Sequence, residues 1–100
     1  MKTENTIDLY DTFLLLNNRE EVFNFLKDLC TPQEITALSE RWRVCQLLEQ
    51  EHLSYREIHA LTGASLTTIG RINRFLKVEP YQGYRTILNK IKKKVKSKGK

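Results

Sequence analysis

The stretch "TPQEITALSERWRVCQLLEQE", residues 31–51, constrains the fold more than any other part of the chain. Thr31 can accept the backbone N–H of Glu34 while Glu34 reaches back to the N–H of Thr31. Pro32 stands at the first helical position, where a missing N–H costs nothing. These signals predict a helix from 32 to near Glu51. Ile35, Leu38, Trp42, Cys45 and Leu48 form one stripe along it, and Ala37, Val44 and Leu47 broaden that stripe. A helix apolar on two sides is hard to cover within a chain of 100 residues, which has one modest core. Two solutions remain: a second chain covers the remainder, or the helix carries one broad intramolecular face.

The other segments read as helices too, and no alternating pattern is long enough to argue for a strand. "TIDLYDTFLLLN" predicts a first helix with Thr6 as N-cap and Leu9, Phe13 and Leu16 on one side. "NREEVFNFLKDL" opens on Asn18 with Glu21 three residues on, and positions 22, 25, 26 and 29 follow the amphipathic spacing. Near the end, Tyr81, Tyr84, Ile87, Leu88, Ile91 and Val95 recur at helical spacing and predict a last helix over 81–95 with a lysine-rich exposed face. The expected organisation is one all-α domain over residues 1–96, followed by a flexible basic tail at 97–100.

Charge is distributed unevenly. Residues 1–52 hold five Lys/Arg against ten Asp/Glu, residues 53–89 hold five against two, and the last eleven hold seven lysines and no acid. A basic second half suggests an anionic polymer or surface as partner. The only apolar run near the N-terminus, Phe13–Leu16, is too short for a signal peptide or a membrane span, so the expected location is cytoplasmic. Cys30 and Cys45 are too few for a disulfide framework and are read as small buried apolar side chains. No metal-ligand spacing, catalytic constellation or cofactor motif is recognisable, so no metal, no cofactor and no enzymatic activity are expected.

The segment "LSYREIHALTGASLTTIGRINRFLK" carries the functional signal. Ser54 with Glu57 predicts a capping box, and Leu53 with Ile58 a hydrophobic staple. Ile58 and Leu61 are expected inward, and Gly63 ends the helix where a positive φ is needed. Ser65 then caps a second helix whose inward residues are Ile69, Ile72 and Leu76. Two helices joined by a short glycine-containing turn match the helix-turn-helix signature, here over residues 53–77. Leu66, Thr67 and Thr68 project from the first turn of the second helix, followed by Gly70, Arg71 and Arg74. In a major groove, threonine can hydrogen-bond a base and leucine can meet a thymine methyl. Arg56 can fork onto a guanine or hold a phosphate, while Arg74, Lys77 and the lysine tail supply charge to the DNA backbone.

Residues 28–80 resemble the Trp repressor superfamily, within it the YerC/YecD-like branch. The most specific matches are Leu29-x-Thr31-Pro32-x-Glu34, Arg41-x-Arg43, and Gly63-Ala64 followed by Thr68-Ile69 and Arg71. The resemblance implies an all-α helical bundle forming an intertwined homodimer, with two DNA-reading heads and a palindromic operator in double-stranded DNA. It implies that Arg56, Leu66, Thr67 and Gly70 approach base edges and that His59 lies near phosphates; Ser65, the cap of the second helix, is counted with the same DNA-binding residues. Gly70 stands where the family's repressor has a hydroxyl residue and His59 where it has a lysine. It also implies an effector pocket at Thr31, Arg41 and Arg71, where the repressor holds L-tryptophan between two arginines. Ile72 and Phe75 replace small residues there, and the added volume of side chain opposes an indole. L-tryptophan is therefore not the expected ligand, and no other effector is identified. The alternative function is a helical module that docks on an acidic protein of the transcription machinery. Membrane-surface attachment by the basic helix 81–95 is a third reading, less favoured because core packing explains its apolar face.

Overall fold

The structure, a computed structural model, describes residues 4–98, which form six α-helices and no strand. The chain divides between Thr36 and Ala37 into two compact units.

In the N-terminal unit, α1 covers Leu9–Phe13 and α2 covers Arg19–Leu29. Asp8, not Thr6, caps α1 and accepts the N–H of Asp11 at 2.8 Å, while the Thr6 hydroxyl donates to Glu4 instead. A carboxylate three residues before Asp11 is the stronger cap. α1 is shorter than expected: Leu14, Leu15 and Leu16 bond three residues back, and Asn18 must adopt extended backbone (φ −156°, ψ 173°) to cap α2. Asn18 accepts from Glu21 N–H at 2.9 Å, and the Glu21 carboxylate accepts from Asn17, one residue before the cap. Phe13 and Phe25 meet edge to face, with ring centroids 5.8 Å apart. Neither α1 nor α2 contains a buried residue.

Helix α3, Pro32–Gln50, begins as expected: Glu34 N–H donates to Thr31 Oγ1 at 3.1 Å and Thr31 N–H donates to the Glu34 carboxylate at 2.8 Å. Leu38 on its expected stripe is exposed, whereas Val44, Cys45 and Leu48 are buried in the core of the C-terminal unit. That core adds Ile58 from α4 (Tyr55–Thr62), Ala64 from the turn, Ile69, Ile72 and Leu76 from α5 (Leu66–Lys77), and Leu88 from α6 (Gly83–Lys98). Burial pushes the Cys45 thiol up to about 11, so it stays protonated and packs as a small apolar group. Trp42 stacks on Tyr84 at 6.2 Å.

Helix α6 starts two residues later than the apolar spacing suggests. Gln82 takes a left-handed φ of 60°, and its carbonyl accepts both the N–H and the hydroxyl of Thr86. Of the expected apolar stripe only Leu88 is buried and Tyr84 half-buried; Tyr81, Ile87, Ile91 and Val95 are exposed. The helix continues through 97 and 98, where the sequence suggested a flexible tail, because lysines sustain a helix and no glycine intervenes before 99. Residues 99 and 100 of that tail lie outside the described residues. Glu49 fastens α6 to α3: Arg85 donates to both its carboxylate oxygens, at 2.7 and 2.9 Å, and Lys92 reaches the same group.

Candidate nucleic-acid interface

Local chemistry fixes the pair α4–α5. Ser54 and Glu57 form the reciprocal capping box at the start of α4. Gly63 ends α4 at φ 82°, ψ −5°, and its N–H donates to the His59 carbonyl. Thr62 donates its hydroxyl to Ile58 O at 2.7 Å and accepts the N–H of Ala64 at 3.1 Å. Ser65 then caps α5 by accepting the N–H of Thr68 at 3.0 Å. Three residues, 63–65, therefore separate the two helices.

Ile69, Ile72 and Leu76 turn inward as expected, but Leu61 does not: it is 53% exposed. Ile58 and Ala64 already fill the core at this end, and Leu61 lies a step round an eight-residue helix whose carbonyl end is held from outside by Arg43, which donates to Leu61 O at 3.4 Å.

Residues 67, 70, 71 and 74 share the face of α5 opposite the core, at i, i+3, i+4 and i+7. Leu66, Thr67, Arg71, Arg74 and Lys77 are exposed there, and Arg56 and Ser65 are exposed beside them. α5 contains no acidic residue, so its positive N-terminal end is unopposed within the helix. Thr68 is drawn back from this surface: it is half-buried, and its hydroxyl accepts from Ser65 Oγ at 2.9 Å. His59 donates Nδ1–H to Ala64 O at 2.7 Å, which bridges the turn and leaves Nε2 free for a partner outside. Arg74 pairs with Glu79 at 3.0 Å and Lys77 with Glu51 at 3.6 Å. Both pairs are solvent-exposed, and such pairs exchange readily for other anions.

A cleft of about 620 Å³ opens between α5 and the start of α6, with Arg41, Arg71, Ile72 and Phe75 on its wall. Thr68, Tyr81, Gln82, Gly83 and Tyr84 complete it; the last four are not evident from the sequence, because only the turn into α6 brings them to α5. Phe75 stacks on Tyr81 at 6.4 Å and 15°, and the guanidinium of Arg71 lies 4.4 Å from the Phe75 ring. Burial pushes the Tyr84 phenol upward. Thr31 belongs to the N-terminal unit, where its hydroxyl serves as the cap of α3.

Among the described residues no helix is long and apolar enough to cross a membrane. The family model described as "Trp repressor protein" matches residues 4–92. The chain is 40% identical over 68 residues to the uncharacterized protein YerC of Bacillus subtilis (strain 168); the match spans 68% of this chain and 64% of that protein's length. The crystal structure of a TrpR-like protein from Eubacterium eligens ATCC 27750 superimposes with a TM-score of 0.75 at 37% identity, over 83% of this chain and 84% of the other. A second crystal structure, from Staphylococcus aureus, gives 0.75 at 39% identity, over 84% and 82%. The chain belongs to the Trp repressor family, whose members are DNA-binding transcription regulators and not enzymes.

Proposed function

We propose that this chain is a cytoplasmic, sequence-specific binder of double-stranded DNA, active as a homodimer and unresponsive to L-tryptophan. One observation carries the reading: the exposed face of α5 starts with Leu66 and Thr67, carries Arg71, Arg74 and Lys77 behind them, and contains no acid. In a major groove the first turn meets base edges, while the later basic residues and the exposed α6 lysines Lys90, Lys93 and Lys94 lie along phosphates. Arg56 and Thr67 discriminate, His59 presents Nε2 to a phosphate, and the charge of the remainder makes affinity steeply salt-dependent. Arg56→Ala should relax preference at one position of each half-site, costing about 1–3 kcal/mol there. Binding to permuted operators would show it; an unchanged preference would remove Arg56 from base recognition.

Dimerisation is supported by the N-terminal unit, whose short helices contain no buried residue and which exposes Leu9, Tyr10, Phe13, Leu14 and Phe23. Helices this short are marginal alone and need an apolar partner. Two-fold pairing favours a palindromic operator with recognition helices about 34–36 Å apart.

L-tryptophan does not suit the cleft. Phe75 already supplies the aromatic face against which Arg71 lies, and Tyr81 covers Phe75 in turn. An indole seated on Arg71 would compete with the Phe75 ring for the same guanidinium face. Titration calorimetry should detect no heat of L-tryptophan binding at micromolar affinity; a micromolar dissociation constant would contradict the assignment. The remaining space leaves room for an effector of other chemistry.

A further inference from the structure

We infer that Tyr55 contacts DNA. Its ring takes the place that a side chain at position 70 would fill on the outer face of α5, and its phenolic hydroxyl donates to a backbone phosphate at the edge of the half-site. The inference rests on the DNA-binding reading above.

It begins with a glycine that the fold does not require. Gly70 lies inside α5, where glycine costs about 1 kcal/mol relative to alanine. It does not have a positive φ; among the described glycines only Gly63 does. Nor does crowding exclude a methyl group. A Cβ built at position 70 would meet only Tyr55 Cε2, at 4.0 Å, an ordinary contact distance. Yet position 70 stands between Thr67, Arg71 and Arg74 on the face of α5 opposite the core.

Tyr55 occupies that space from the other helix. It is the first residue of α4, a position held by the Ser54–Glu57 capping box. The Tyr55 atom nearest Gly70 adjoins the carbon that bears the hydroxyl, so the polar end of the ring is the end beside α5. The residue is 39% exposed, and among the described residues its hydroxyl makes no hydrogen bond. An aromatic body laid on a helix with an unengaged polar tip is poised for a partner outside the chain.

The surroundings select an anion. Arg56 follows in sequence, and Arg71 and Arg74 follow Gly70 on α5. The nearest acid in sequence, Glu57, is committed to the Ser54 backbone at 2.8 Å. The first helix of such a pair crosses the DNA backbone, and tyrosine is an ordinary donor to phosphate oxygens. Glycine at 70 thus leaves the recognition face to be completed by a residue of α4.

The test is equilibrium binding and operator selection with the full chain, Tyr55→Phe, Gly70→Leu and the double variant. Tyr55→Phe should lose about tenfold in affinity, as expected for one hydrogen bond to a charged group. It should keep the same selected sequence and the same melting temperature. Gly70→Leu should displace the ring and lose a similar factor, and the double variant should lose no more than the worse single one. Wild-type affinity or an altered selected sequence for Tyr55→Phe, or additive losses in the double variant, would each overturn the assignment. Failure of the wild-type chain to bind any duplex would instead bring down the DNA-binding reading, and this inference with it.

Discussion

Glutamates at Leu14 and Phe23 should convert the chain into a monomer that binds its operator at least a hundredfold more weakly. Leu14 is 81% exposed and Phe23 51% exposed, so neither substitution removes core packing from a single chain. Lys27 lies 5.7 Å from the Phe23 ring and can accompany a carboxylate placed there. If these apolar positions form the proposed dimer interface, pairing would bury a carboxylate at 14 with no cation assigned to it, and would take the one at 23 out of water with Lys27 beside it. Loss of the second head removes the intramolecular second binding event, which is worth roughly 10²–10⁴ in affinity. Sedimentation equilibrium should report the mass of one 11.8 kDa chain for the variant and of two for the wild type. A variant that remains dimeric would place the interface elsewhere.

The second large effect concerns Glu49. Hydrogen bonds from Arg85, and then from Lys92, hold its carboxyl down to about 2, against an ordinary 4.5. Its side chain is largely shielded from solvent, and its partners lie 36 and 43 residues away on α6. A carboxylate whose folded pKa is depressed contributes its full stabilisation above the unfolded value and loses it as the pH falls through the folded one. Stability should therefore decline as pH drops from about 4.5 towards 2, in addition to any general acid effect. Glu49→Ala should cost about 2 kcal/mol at pH 7, since it also strands the half-buried Arg85 guanidinium. For a chain this size that is a fall of about 10 °C in melting temperature. Thermal unfolding at fixed protein concentration should show the difference between the two proteins shrinking towards pH 2. A constant difference across that range would exclude the ion pair as its source.

Caps and turns were legible because they are local. The reciprocal pairs Thr31–Glu34 and Ser54–Glu57 and the cap at Ser65 each use side chains within three residues of the groups they satisfy, and Gly63 closes α4 through its own backbone N–H on the His59 carbonyl, four residues back. The inward stripe of α5 followed from periodicity alone. Leu61 and the outer residues of α6 did not, because an apolar pattern states which residues seek cover and not which neighbours are near enough to give it. The cleft could be named only in part: Arg41, Arg71, Ile72 and Phe75 were expected, but Tyr81 and Tyr84 reach it through the left-handed Gln82, a conformation that glutamine seldom signals. Tyr55 is not legible for a related reason. Its neighbour Gly70 is fifteen positions along the chain, and the one hint in the sequence was a glycine inside a helix with no turn to justify it.

The proposed function is sequence-specific recognition of DNA by a two-headed protein. It is tested most directly by selecting the purified chain against random DNA duplexes at about 150 mM salt, with no small molecule added. The expected result is enrichment of a palindrome whose half-sites are centred about 10 base pairs apart. Binding without enrichment would contradict sequence recognition, and no binding at all would turn attention to an acidic protein as the partner of the α5 face.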